Sequence, residues 1–275
     1  MTQLIPDDVG LFVRWLIAFG MFSARYLVFA GTAYLVYYVI KRQEWLFMKI
    51  QQQFPHRKQI LTEIKYSILS FLVFATVIIG MRVVNNSGLL ANKIYFHLSE
   101  HSVAYFIFST ALIIFLHDAY FYWIHRMMHH PLLYERVHKA HHLSKDPTPW
   151  AAFAFHPSEA LIEIAFVPLI IYTIPLHVAA LVIFGVWQVT FNVIGHLGYE
   201  IFPRNTIRHR LFKWVNTSTN HNMHHKFVRC NYGLYFSLWD RLMNTNHAKY
   251  YETFDEVTTR RDEGFEKLKK GCIRN

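Results

Sequence analysis

Eight histidines stand in three groups whose spacing suits metal ligation. His125 and His129 form H-x3-H. His138, His141 and His142 form H-x2-H-H, and His221, His224 and His225 repeat that pattern. Residues three and four apart on a helix share a face, so each group can aim two or three imidazoles at one point. Imidazole is the commonest protein metal ligand and suits iron, zinc, copper and nickel. A structural zinc is closed by four ligands, so eight histidines fit two metals better than one. With no thiolate in the set, iron, zinc and copper all remain open. Two metals sharing these groups could activate dioxygen.

Other residues could complete or support such a site. His196 ends an apolar run, and Asn192 lies four residues earlier on the same helix face; both are candidate ligands. His156 suits either a ligand or a helix entry. Asp118 precedes His125 by about two helical turns and is a candidate carboxylate to orient an imidazole. The solitary His56, His97, His101, His177 and His247 read as packed or solvated side chains. Tyr120, Phe121, Tyr122, Trp123, Trp150, Phe153 and Phe155 crowd the groups, and an interfacial belt is the simplest reading of most of them.

The elements that must position these residues are apolar. The chain of 275 residues is 53% hydrophobic and 17% aromatic, with positive mean hydropathy. Charged residues make up 17%, below the usual quarter or so. This profile predicts a membrane protein of one domain. The net charge of +10 is assigned to anionic lipid headgroups rather than nucleic acid, because the basic residues gather between and after the apolar runs. Two cysteines, Cys230 and Cys272, exclude a disulfide framework and a cysteine-rich zinc module. Met1 to Ile40 lacks the small-residue cleavage site of a signal peptide. Arg274 breaks the prenylation pattern in the last four residues, Cys272 to Asn275.

The fold expected is all-α, an integral membrane protein with about four transmembrane helices and a cytoplasmic, histidine-rich helical cap. The first apolar stretch runs from about Leu11 to Ile40; a helix starting near Ala18 would hold Arg25 close to one interface, where it could snorkel. The second span lies near Ile68 to Val84 and the third from about Val103 to Ile124. Two further runs, Ala160 to Thr173 and Leu176 to Ile194, suggest a hairpin turning at Pro175. Lys41, Arg42, Lys49, Arg57, Lys58 and Lys65 crowd the first loop, whereas Asn85 to Ser102 holds only Lys93. The positive-inside rule then puts the first loop in the cytoplasm, and counting spans from it brings all three histidine groups to that side. The divisions expected are 1–102 for N-terminal membrane helices, 103–245 for the catalytic region and 246–275 for a basic cytoplasmic tail.

The segment from Asp118 to His130, His138-Lys-Ala-His-His142, Pro157-Ser-Glu159, Asn192-Val-Ile-Gly-His196, His221-Asn-Met-His-His225, Asn231-Tyr-Gly233 and Trp239-Asp-Arg241 resemble, in order, the motifs of the fatty acid hydroxylase superfamily, which includes the sterol desaturases. Asn244-Thr245 departs from the family's frequent Gly-Thr, and Asn192 stands where some members have histidine. The resemblance implies a non-haem di-iron centre held by His125, His129, His138, His141, His142, His221, His224 and His225, with His196 at a further family position. It implies hydroxylation or desaturation of a lipid with O2. Two electrons would come from NAD(P)H through a separate carrier such as cytochrome b5, a ferredoxin or a reductase. No glycine-rich dinucleotide fingerprint is present.

Two other readings make different demands. A membrane di-zinc hydrolase would work without O2 or reductant, but no H-E-x-x-H stands in the chain. A metal transporter would carry ionisable residues inside several spans, and few are found there. Small size and the absence of a retrieval signal favour a bacterial inner membrane over the endoplasmic reticulum.

Overall fold

The computed structural model describes residues 9–271; the Cys272 to Asn275 segment lies outside the described residues. Four helices are long and apolar enough to cross a membrane. They are α1 (Leu11–Ile40), α2 (Arg57–Asn86), α3 (Val103–Met128) and α7 (Val178–Gly195). Shorter helices follow α3 as α4 (Pro131–Val137), α5 (Pro157–Ile164) and α6 (Phe166–Thr173). After α7 come α8 (Ser218–Phe227), α9 (Leu238–Leu242) and α10 (Tyr250–Lys269). The described strands are two residues each, Ile94–Tyr95 and Leu176–His177, paired in parallel with Ile94 opposite Leu176. The chain is an all-helical membrane protein with a histidine-rich cap.

Three boundaries differ from expectation, one of them the start of α2 at Arg57 rather than near Ile68. α1 begins at Leu11, not near Ala18, so Arg25 falls midway along it. There the guanidinium donates to the Gly185 carbonyl at 3.3 Å instead of reaching an interface. Gly185 makes room for it, since a Cβ there would meet Arg25 Nη1 at 2.7 Å. The run from Ala160 to Thr173 is two helices of eight residues broken at Ala165, each far short of the roughly 20 residues a span needs. Of the expected hairpin, only its second arm, α7, qualifies as a span. In the C-terminal segment, α10 buries Tyr250, Phe254 and Val257, and Phe47 packs edge-on to Phe265 at 5.0 Å.

Irregular backbone beside an apolar bundle needs partners for its carbonyls. Residues 148–155, just past the second histidine group, obtain them from α1 and α2. Tyr26 donates to the Trp150 carbonyl at 2.7 Å, Ser67 to the same carbonyl at 3.0 Å, and Ser70 to that of Phe153 at 2.8 Å. Phe71, Phe74, Phe153, Phe155 and Val189 form the core around them. Phe121 and Tyr122 are also buried, so much of the aromatic belt expected from sequence is core. Trp123, 46% exposed, is not.

The basic loop after α1 packs on the chain just past His196. Ile50 N–H donates to the Gly198 carbonyl at 3.0 Å, and Glu200 N–H to that of Met48 at 3.0 Å. That loop and the histidines therefore share one end of the bundle. Lys49, fully buried, donates to Asp146 at 2.7 Å, and Asn222 Nδ2 approaches the other Asp146 oxygen at 3.5 Å. Burial lowers the Lys49 ammonium from its ordinary range and raises the Asp146 carboxyl. The pair thus joins the loop, the second histidine group and α8 more than it adds net stability. Lys49→Met strands Asp146 and is expected to cost about 3–5 kcal/mol, read as a lowered unfolding midpoint of the detergent-solubilised protein. An unchanged midpoint would contradict the role of the pair.

Candidate metal centre

Each histidine sits where an element ends or turns. α3 carries His125 in its last turn and His129 at its C-terminal cap. His138 caps α4. The chain then winds through a short 3-10 turn, with the His141 and His142 N–H groups donating to the His138 carbonyl at 3.0 and 3.4 Å. Thr217 caps the N-terminus of α8 by accepting the Asn220 N–H at 3.2 Å, and α8 presents His221, His224 and His225. His196 caps the C-terminus of α7.

These nine residues form two groups that could each hold a metal ion. One contains His125, His129, His138, His142 and His224; the other contains His141, His196, His221 and His225. Within each, the donor nitrogens lie within 4.8 Å of one another. Eight of the rings are buried, and His129 is partly so. Each H-x2-H-H motif serves both groups: His138 and His142 face one, His141 the other, while His221 and His225 oppose His224. The groups abut, with the His142 and His225 rings 5.0 Å apart.

The hydrogen bonds test whether metal fits. His125 Nδ1 donates to the Tyr232 carbonyl at 2.9 Å, and His138 Nδ1 to Glu159 Oε1 at 2.7 Å. His224 Nδ1 donates to the Cys230 carbonyl at 2.6 Å, and His196 Nδ1 to that of Asn192 at 2.7 Å. A neutral ring that donates through Nδ1 leaves Nε2 with a bare lone pair. Yet the Nε2 atoms of His125 and His138 are 3.1 Å apart, as are those of His138 and His142. Those of His221 and His196 are also 3.1 Å apart. In the His125–His138 pair both Nδ1 atoms donate elsewhere, so two lone pairs face each other and repel unless a cation lies between them. Nitrogens bound at about 2.1 Å to one ion stand roughly 3.0–3.4 Å apart, which matches. Both nitrogens of buried His225 lack a hydrogen-bond partner, and a cation would satisfy one of them. The donor set fits metal.

Burial, followed by neighbouring imidazoles, holds His138, His141, His142, His221 and His225 well below the ordinary histidine range. Burial lowers His196 to about 4. The rings stay neutral, the form that binds metal. The sign follows. Below about pH 6.5, unfolded-chain histidines take up protons, while the folded His196 resists until about 4. The metal-free fold therefore loses stability as pH falls through that window. The unfolding midpoint of the metal-free protein is therefore expected to fall as pH is lowered from about 6.5 towards 4; a midpoint that stays constant across that window would contradict neutral imidazoles in the fold.

Asp118 does not touch an imidazole. Its Oδ1 accepts the N–H groups of Tyr235 and Phe236 at 2.9 and 3.1 Å, pinning the segment that supplies the Tyr232 carbonyl. Glu159 is the carboxylate that orients an imidazole. Asn192 meets His196 through its main-chain carbonyl. His156 is a helix entry, capping α5 and bonding Ser158 Oγ at 2.7 Å. His97, His101, His177 and His247 join neither group. Asp240 was missed as a site residue: it accepts the N–H groups of Tyr232 and Gly233 at 2.9 and 2.8 Å and so ties Trp239-Asp-Arg241 to Asn231-Tyr-Gly233. The only sequence sign of it was that recurring pair of motifs.

Fold and site define a helical membrane protein with two adjoining, buried, all-histidine sites able to hold metal. The family model described as fatty acid hydroxylase matches residues 110–245. The chain is similar to a Delta(7)-sterol 5(6)-desaturase of Gibberella zeae, 30% identical over 234 residues covering 82% of this chain and 69% of that one. It is also similar to the lathosterol oxidase of Homo sapiens, 29% identical over 220 residues covering 76% and 70%. A third relative is a Delta(7)-sterol 5(6)-desaturase of Aspergillus fumigatus, 28% identical over 243 residues covering 82% and 72%. No solved structure matches. The chain belongs to the fatty acid hydroxylase family that includes the sterol desaturases, and it is an oxidoreductase of the membrane.

Proposed function

We propose that this protein desaturates or hydroxylates a membrane lipid, with O2 as co-substrate and electrons from NAD(P)H delivered by a separate carrier. The carrying observation is the pair of adjoining all-histidine groups at the end of an apolar bundle. The named relatives act, by their descriptions, on sterols, so a Δ7-sterol is the first substrate to try. The five-histidine and four-histidine groups would each hold one iron. When bound, iron supplies the O2 activation and one-electron chemistry that side chains cannot.

The chain's own residues set the conditions for that chemistry. Tyr232, Cys230 and Asn192 carbonyls and the Glu159 carboxylate hold Nδ1 protons, which keeps each Nε2 free to bind and fixes its ring. Asp118 and Asp240 fix the loop that presents the Tyr232 carbonyl. Burial excludes water and with it unproductive side reactions. For desaturation, two hydrogens leave the lipid, two electrons and two protons arrive from the donor, and O2 becomes two waters. The basic loop that shares the histidines' end supports a cytoplasmic face for that end. The relatives named above are fungal and mammalian and lend no support to a bacterial inner membrane.

The test is lipid mass spectrometry of sterol-containing cells expressing the chain under labelled O2, beside a His141→Ala/His142→Ala control. A lipid that loses two hydrogens only with the intact chain establishes desaturation; one that gains label establishes hydroxylation. No difference in any lipid, with a competent electron donor present, contradicts the proposal.

A further inference from the structure

The five-histidine group is not walled by aliphatic side chains alone. The Tyr232 ring lies 5.7 Å from His125, 5.1 Å from His129 and 5.6 Å from His224, centre to centre. Tyr122 follows at 6.2 Å, Trp239 stacks on Tyr122 at 6.1 Å, and Trp123 lies 6.0 Å beyond, 46% exposed. Each member is tyrosine or tryptophan, the side chains that a strong oxidant can oxidise by one electron; phenylalanine cannot serve. By contrast, Phe155 is the only non-histidine ring packed on the four-histidine group among the described residues. We propose that Tyr232, Tyr122, Trp239 and Trp123 form a redox relay that carries oxidising equivalents from the five-histidine group to the surface when no lipid receives them. This inference rests on the O2-dependent reading above.

The hydrogen bonds supply the proton path that tyrosine oxidation needs. Tyr122 Oη lies 3.0 Å from Thr245 Oγ1, which donates to Asp240 Oδ1 at 2.6 Å. Arg126 donates to Tyr122 Oη at 3.3 Å, which leaves the phenolic proton directed at Thr245. Tyr122 gives one electron through Tyr232 to the oxidised centre. Its proton passes to Thr245 as the Thr245 proton passes to Asp240. Trp239 and then Trp123 return an electron to Tyr122, and the protons run back. The indole N–H of Trp239 is buried without a partner, so its radical cation keeps its proton and passes the charge on. A lipid-soluble phenolic reductant reduces Trp123 at the bundle surface, so the net change is one electron moved inward.

The experiment uses the full chain, loaded with iron, reduced with dithionite, desalted, and pulsed with labelled O2 without lipid. Freeze-quenched samples are read by electron paramagnetic resonance and digested peptides by mass spectrometry. The expected result is a tryptophan radical and label at Trp123. Tyr122→Phe should lose both, with the label shifted to residues beside the histidines. Trp123→Phe should confine the radical to Trp239 while lipid conversion with a donor stays unchanged. If O2 oxidises the iron but label appears at Tyr134 or the histidines in the same pattern in parent and variants, the relay is overturned and the proposed function stands. If O2 does not oxidise the reduced iron, both fall.

Discussion

His138→Ala is expected to abolish lipid turnover and to strip metal from the five-histidine group. His138 is the hub of that group: its Nε2 lies 3.1 Å from those of both His125 and His142. Its removal breaks the ligand shell and leaves the Glu159 carboxyl buried with no imidazole. Bound metal stabilises a reaction's charged states by several kcal/mol, so its loss corresponds to a rate decrease of about a thousandfold or more. Product formation in membranes and metal per chain both read the effect. The unfolding midpoint should be compared between metal-free forms, where the variant loses only packing and one hydrogen bond. A variant that keeps its full metal complement and a tenth or so of its turnover would contradict this assignment.

Glu159→Ala is the second large effect, and it acts through His138. Removal of a carboxylate that orients a metal-bound histidine typically costs about 10–100-fold in metal affinity or activity. Burial, and then Glu163, raise the Glu159 carboxyl well above the usual range. A cation held by His138 opposes that shift by favouring the carboxylate. Metal uptake is therefore expected to release protons, fewer in the Glu159→Ala variant. Glu159→Gln keeps an acceptor for the Nδ1 proton and should fall between the parent and the alanine variant. Competitive chelator titration with proton counting measures both quantities. Equal affinities for all three proteins would show that Glu159 only fills space.

The histidine spacing made the metal chemistry legible, because ligands are side chains and their i, i+3 and i+4 intervals survive in the linear sequence. Their partition between two groups was not legible. His138 to His142 sits on a helix end and a 3-10 turn rather than on one helix, and each H-x2-H-H divides its imidazoles. The spans were also readable from apolar runs, within about three turns at their starts. Arg25 was misplaced because its partner, the Gly185 carbonyl, lies 160 residues away. Asp118 looked suited to an imidazole by helical spacing, but two main-chain N–H groups of the 235–236 segment reach it first. The acceptors of the Nδ1 protons at Tyr232, Cys230 and Asn192 are carbonyls, which every residue has, so no motif could mark them. Lys49 and Asp146 meet only through the loop's long-range packing.

The most direct test of the account is the number and kind of metal ions in the active protein. The chain is purified in detergent under conditions that retain lipid turnover. Metals are counted by elemental mass spectrometry, and iron sites are resolved by Mössbauer spectroscopy. The account predicts two irons per chain in two coupled, nitrogen-rich environments, one for each histidine group. One iron per active chain, or two zincs with turnover that continues without O2, would contradict it.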